Sequence, residues 1–387
     1  MTTAFVERIR EEIGRLPGPM RAVLAAHGFD LDEFLDLVHQ WEAERIGPEA
    51  SRVRGRVEPL AEERIALCHE PGSAAYAEAR EVGIELIRKA RVGALVLNGG
   101  MGTRFGGVVK GSVDVLWGKT FLELKLAQLA TLPRTVSAFV MNSFATAPTI
   151  ADHLAAIRPR TPVHCFTQGI SVRLTPSGDV FHDEDDPWAT LYAPGHGDAA
   201  AAFRVSRLLQ RFHDAGGEWL VVSNVDNLGA TVDPAVLGQV VRSGRRLAVE
   251  LAERRAGDMG GMPAVVDGLP QIVESFRFPV GFDDSPIRRF NTNTFTIHLS
   301  VLEEDRPLTW FAVRKKVHDR PVIQFERLIG ELTAFEPTLF LGVPRDGSHS
   351  RFLPVKLPPD LDAIRPAIRA VVETWGIPPF SDQANAT

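Results

Sequence analysis

Chemistry is most densely signalled between residues 94 and 107. There the apolar run Ala94-Leu95-Val96-Leu97 breaks into Asn98-Gly99-Gly100-Met101-Gly102-Thr103-Arg104-Phe105-Gly106-Gly107. An apolar run this short reads as a buried strand, and glycines just past a strand let backbone N–H groups approach a ligand closely. Successive N–H groups form a concavity that binds phosphate, and Arg104 places a guanidinium within it. A plain turn would need fewer glycines. The loop lacks the Gly-Lys-Ser/Thr of a Walker A motif and does not complete a dinucleotide fingerprint.

Three further clusters have two readings each. Gly195-His196-Gly197-Asp198 precedes a helical run from Ala199 to Ala215 that Gly216 closes. Asp198 there serves as an N-cap. His196, between two glycines, is expected to be presented rather than packed. Asn224-Val225-Asp226-Asn227 ends an apolar run; its carboxylate could hold a cation or a ribose hydroxyl, or the segment could be a turn braced by Asn and Asp side chains. In Phe290-Asn291-Thr292-Asn293-Thr294-Phe295 strict alternation puts Asn291 and Asn293 on one strand face, suited to a sugar or simply to solvent. No His-Glu-x-x-His, paired Cys-x-x-Cys or Gly-x-Ser-x-Gly occurs, which excludes zinc-protease and serine-hydrolase readings.

The elements that must position these residues follow from the patterning. Residues 1–90 read as a helical region: Phe5, Ile9, Ile13 and Leu16 keep helical spacing, Asp32 can cap a helix carrying Phe34, Leu35, Val38 and Trp41, and Ser73 can cap another. From 91 to 345 short apolar runs (Ala94–Leu97, Ala138–Met141, Val163–Phe166, Trp219–Val222, Leu247–Leu251) alternate with helical patterns. This is the grammar of an α/β domain with a mixed, mostly parallel central sheet. Ligands of such sheets bind beyond the carboxyl ends of the strands, and the polar clusters lie there: the glycine loop, Asn142-Ser143, Gln168 and Ser223–Asn227. Residues 346–387 read as a basic segment and a short helical tail in which Pro366 kinks or starts a helix.

A formal charge of −6 on 387 residues argues against nucleic acid or an anionic membrane as partner, so an anionic ligand needs a local cluster of cations. Cys68 and Cys165 make no metal framework and fit a reducing compartment. The charged N-terminus (Glu7, Arg8, Arg10, Glu11, Glu12) has no signal-peptide core, and no apolar stretch reaches membrane-spanning length. A cytoplasmic protein is expected.

In order along the chain, Leu97–Thr103, Phe121-Leu122-Glu123-Leu124, Met141–Phe144, Pro194–Asp198, Ser223–Asp233, Phe290–Asn293 and Arg351-Phe352-Leu353-Pro354-Val355-Lys356 resemble the UTP–glucose-1-phosphate uridylyltransferase (UDP-glucose pyrophosphorylase) family over roughly residues 94–356. The resemblance implies a Rossmann-like, GT-A-like nucleotidyltransferase domain. It implies a reaction of UTP with a sugar 1-phosphate, foremost glucose 1-phosphate, giving a nucleotide sugar and pyrophosphate with Mg²⁺ as cofactor. The roles it implies are these. Asn98, Gly99, Gly100 and Gly102, with Arg104, hold the nucleotide; Gln168, Gly195 and Met141 meet the base; His196 lies near the phosphates; Asp226 holds ribose or metal. Asn224, Gly261, Glu274, Asn291 and Asn293 surround the sugar, and Lys110 and Lys356 reach phosphate.

The chain departs from the family pattern in places. The family's Gly-Pro-Lys-Ser is here Val108-Val109-Lys110-Gly111-Ser112, without the proline, and the match is loose from Arg254 to Gly268. The residues after Lys356 are too few for the β-helical C-terminal domain of eukaryotic members. Another nucleoside triphosphate, a sugar-like phosphate, or a non-catalytic nucleotide-sugar-binding protein are the alternatives these departures leave.

Overall fold

The computed structural model describes residues 3–100 and 108–377. Gly102 and Arg104 of the glycine loop lie outside the described residues. Eight strands form the central sheet: β1 (Ala66–Leu67), β2 (Val92–Leu97), β3 (Ser137–Asn142), β4 (Val163–Thr167), β5 (Trp219–Asn224), β6 (Leu247–Glu253), β7 (Arg289–His298) and β8 (Thr338–Gly342). They are arranged in the order β1-β8-β6-β7-β5-β2-β3-β4. β5, β2, β3 and β4 run parallel, as do β6, β8 and β1, and β7 lies antiparallel between the two groups. The mixed, mostly parallel sheet expected from the patterning is present, and each of the five apolar runs is a strand.

Residues of alternate parity on these strands feed two apolar layers, as the two-residue period of a strand requires. Ala94, Val96, Ala138, Val140 and Val221 face one layer with α5 (Phe121–Ala130), α6 (Ala147–Ile157), α9 (Pro234–Arg242) and α10 (Pro358–Glu373). Leu95, Leu97, Phe139, Leu220, Val222 and Phe295 face the other with α7 (Ala199–Val205) and α8 (Leu208–Asp214). The helices α1 (Thr3–Gly14), α2 (Gly18–Ala26) and α3 (Leu31–Glu42) bury Ile9, Met20, Leu24, Phe34 and Val38 against Ile170, Val172, Leu174 and Phe325.

Several local expectations need correction. Residues 1–90 are not helical throughout: Val57–Pro59 pairs in a small sheet with 261–266, and β1 joins the edge of the central sheet. α4 (Ala74–Arg88) packs on α9, where a Cβ at Gly83 would fall 1.9 Å from the carbonyl of Pro234 and one at Gly238 1.8 Å from that of Ala79, so only glycine permits this helix crossing. Ser73 does cap α4, accepting the N–H of Tyr76. The cap of α3 is Asp30 rather than Asp32, because the Asp30 carboxylate accepts the N–H groups of Asp32 and Glu33. The run 199–215 is two helices broken at Arg207, which sits at φ 60°. α10 starts at Pro358 and carries Pro366 inside it. No helix among the described residues is long and apolar enough to cross a membrane.

Candidate active site

The carboxyl ends of β5, β2, β3 and β4 deliver the predicted residues to one rim of the sheet. Asn98 follows β2, but its side chain is buried and spent on structure: its amide donates to Asn142 Oδ1 at 2.8 Å, bracing β2 against β3. Gly99 leaves room for Gln168, since a Cβ there would lie 1.8 Å from Gln168 Nε2. Gln168 follows β4; it is buried, and its side-chain oxygen has no hydrogen-bond donor among the described residues. Met141 is packed in the apolar layer with Leu97 and Phe166 rather than presented at the rim. A side chain at Gly100 would meet no atom of the described residues within 4 Å.

Lys110 begins a short 3-10 turn, Lys110–Ser112. Its Nζ donates to Asp226 Oδ2 at 2.6 Å and to the carbonyl of Val355 at 2.7 Å. The missing proline has therefore not taken the lysine away from the strand ends; a residue before Lys356 cradles it. Lys356 itself is exposed and forms no ion pair among the described residues, while its N–H and that of Leu357 donate to the Asp360 carboxylate. The rest of the basic segment is paired off: Arg345 with Asp258, and buried Arg351 through a fork to both oxygens of Glu250.

The residues that the resemblance assigns to the sugar form a chain of amides. Asn293 donates from its side chain to Asn224 Oδ1 at 2.9 Å, and its N–H donates to Asn291 Oδ1 at 2.8 Å. The expected alternation is present in burial, with Asn291 and Asn293 half-buried and Phe290, Thr292 and Thr294 buried. Pairing with β6 shifts between Val249 and Leu251, and Asn293 takes φ 56°, so β7 bulges where its amides reach the rim. The buried side-chain oxygen of Asn293 has no donor among the described residues. Gly261 pairs with Glu274, and a Cβ on it would lie 2.8 Å from Glu274 Oε1. Burial pushes the Glu274 carboxyl up to about 7, with Glu331 adding to the rise and Arg277 opposing it.

The Gly195–Asp198 loop is clasped by residues 327–329. Arg327 N–H donates to the Pro194 carbonyl, Gly197 N–H to the Arg327 carbonyl, and Ile329 N–H to His196 Nδ1. Gly195, at φ 93°, makes the turn. His196 is thus packed rather than freely presented. Burial lowers its pKa to about 4, so at neutral pH it is uncharged; with Nδ1 accepting, the ring proton sits on Nε2. Asp198 does not cap the helix. Its carboxylate accepts the Gly169 N–H at 2.6 Å and pairs with Arg327, whose guanidinium lies 4.2 Å above the Trp310 ring.

Sequence reasoning missed Arg327, Arg277, Glu331 and Lys125. Arg327 and Asp198 are too far apart in sequence to be paired by local pattern. Lys125 did leave a signal, four residues from both Phe121 and Leu129 on the apolar face of α5.

No group of three His, Cys, Asp or Glu side chains able to cage a metal occurs among the described residues. A lone carboxylate such as Asp226 fits an ion like Mg²⁺, which takes most of its ligands from substrate phosphates and water.

The family model described as UTP–glucose-1-phosphate uridylyltransferase matches residues 31–368. The chain is 33% identical to the UTP–glucose-1-phosphate uridylyltransferase of Saccharomyces cerevisiae over 297 residues, which cover 70% of this chain and 58% of that protein. It thus spans less than two thirds of that relative's length. Among solved structures it is similar to a UDP-glucose phosphorylase from Trypanosoma brucei, with TM-score 0.74, 23% identity, and 94% and 79% of the two chains covered. It is similar also to the uridine diphosphate N-acetylglucosamine pyrophosphorylase of the same organism, with TM-score 0.73, 20% identity, and 94% and 82% covered. These two likenesses establish the fold. With the match along most of its length, the chain belongs to the UTP–glucose-1-phosphate uridylyltransferase family.

Proposed function

We propose that the protein transfers a uridylyl group from UTP to a sugar 1-phosphate, foremost glucose 1-phosphate, releasing pyrophosphate. The observation that carries this reading is a pair of buried oxygens at the rim, Gln168 Oε1 and Asn293 Oδ1, that have no donor among the described residues, with Lys110 Nζ at the strand ends between their strands. β7 and β4 stand four strand spacings apart, about 19 Å. That arrangement suits a ligand with a base N–H at one end, sugar hydroxyls at the other and phosphates between. Leaving such acceptors unpaired costs roughly 1–3 kcal/mol each, which a ligand's donors recover.

In the proposed reaction an oxygen of the sugar 1-phosphate attacks the α-phosphorus of UTP as pyrophosphate departs. The attacking phosphate is already ionised at neutral pH, so no general base is needed, and catalysis rests on positioning and on neutralising charge. Lys110 would offset charge at the triphosphate, held in place by Asp226 and Val355. Neutral His196 would donate from Nε2 to a phosphate oxygen, and Lys356, free of ion pairs among the described residues, would reach the phosphates late. Arg104 is assigned to the triphosphate by resemblance. Asp226 would hold Mg²⁺, which when bound supplies charge neutralisation and orientation of phosphate oxygens.

The test is pyrophosphate release over a grid of nucleoside triphosphates and sugar 1-phosphates. UTP with glucose 1-phosphate is expected to lead; weak activity there would sink the reading. The loose match to the family pattern from Arg254 to Gly268 supports a second reading in which the same reaction takes a different sugar phosphate.

A further inference from the structure

Among the described residues of the apolar layer between α5 and the sheet stands one lysine. Lys125 is 7% exposed, on the same helix as the fully buried Leu122 and Leu124. Withdrawing an ammonium from water costs several kcal/mol, whereas methionine or leucine would fill the same space without that penalty. Burial pushes the Lys125 amine down to about 7, and Arg351 pushes the same way; Asp226 and Glu250, the carboxylates facing it, pull it back up.

What the lysine accomplishes is specific. Nζ donates to Ser223 Oγ at 2.9 Å and to the carbonyl of Ala230 at 3.1 Å. These acceptors bracket Asn224–Gly229, the loop that carries Asn224, Asp226 and Asn227. Within the loop the backbone bonds are long: Asn227 N–H to the Asn224 carbonyl at 3.3 Å, and Ala230 N–H to the Asn227 carbonyl at 3.2 Å. Here the Ser223 hydroxyl and the Ala230 carbonyl, at the two ends of the loop, both accept from one ammonium, and α5 supplies it from below. Arg351 extends the support by donating to the next residue, Thr231, at its hydroxyl and its carbonyl.

We propose that Lys125 is a positioning residue of the transfer site: by bridging Ser223 and Ala230 it holds the Asn224–Gly229 loop so that Asp226 meets Lys110 and Asn224 meets Asn293. The kinetic consequence rests on the transfer reaction proposed above; the loop conformation does not.

The test compares Lys125→Met and Ser223→Ala with the wild-type chain by amide hydrogen exchange, thermal melting and steady-state kinetics. In Lys125→Met the amides of 223–231 are expected to exchange about tenfold faster while those of α5 hold. kcat is expected to fall at least about tenfold, a loss of about 1.4 kcal/mol in transition-state stabilisation, with KM for UTP within about threefold. Ser223→Ala, which keeps the lysine and removes one acceptor, should move both readouts in the same direction by less, and it decides the matter alone if Lys125→Met does not fold. Unchanged exchange over 223–231 in the folded variants, or a loss confined to KM, overturns the proposal. A wild-type chain without transfer activity overturns the reaction instead, and the exchange data still decide whether Lys125 sets the loop.

Discussion

Lys110 and Asp226, separated by more than a hundred residues in sequence, meet at 2.6 Å, and the same Nζ is also held by the carbonyl of Val355 at 2.7 Å. The lysine is thus oriented before any ligand arrives, and orientation already in place is what makes a charge effective in catalysis. Lys110→Met is expected to lower kcat by about a hundredfold or more, in the range seen when one preorganised donor is lost. Asp226→Asn should in addition raise the Mg²⁺ concentration needed for half-maximal rate, whereas Lys110→Met should leave that concentration nearly unmoved. A magnesium titration of the three proteins checks this; equal shifts would remove Asp226 from the metal.

Glu274 predicts a pH dependence of stability. Its carboxyl is raised from 4.5 to about 7 by burial. Between those values the folded chain keeps a proton there that the unfolded chain releases. The contribution is therefore fully present below pH 4.5 and is lost as pH rises through 7. Glu274→Gln, which stays neutral, should melt higher than the wild type at pH 8, by at most about 3 kcal/mol in stability, and match it at pH 4. Melting curves at the two pH values decide it. A variant equally or less stable at pH 8 contradicts the burial argument.

Gly99 leaves the space that Gln168 occupies, and a methyl group there overlaps Nε2. Gly99→Ala should displace the amide and weaken UTP binding by more than about tenfold, roughly the worth of one buried hydrogen bond. Gly100→Ala meets no atom of the described residues within 4 Å and should cost less. Calorimetric titration with UTP checks the order of the two, and a larger loss for Gly100→Ala would place base recognition elsewhere.

His196 is expected to add no limb to the rate profile between pH 5 and 8, since its pKa lies near 4 and the ring is neutral throughout. His196→Gln retains a donor and should give a profile parallel to the wild type. His196→Ala should lose about ten- to a hundredfold in kcat at every pH in that window. A limb near pH 6.5 that vanishes in His196→Gln would show that the ring titrates after all.

The strands were legible because parallel strands buried on both faces are written as unbroken apolar runs, as in Ala94–Leu97 and Trp219–Val222. So was the Ser73 cap, whose partner lies three residues away. What stayed illegible involved distance or competition. Asp30 and Asp32 are equally good caps by type, and only backbone geometry chooses between them. Asp198 looked like a cap because Gly169 and Arg327, its partners, are invisible to local pattern. The bulge that lifts Asn293 is a register event between β7 and β6, which alternation within one strand cannot report. Two-residue β1 is too short to carry a period at all.

The grip of Lys110 on the Val355 carbonyl also bears on how the protein is made. A ribosome releases Lys110 long before Val355, which follows it by 245 residues. Until residues 350–355 have been synthesised and docked beneath Asn227, the lysine lacks its Val355 anchor. A growing chain that has already folded β2 to β5 therefore still lacks this contact, and the candidate site is complete only once that later segment has docked.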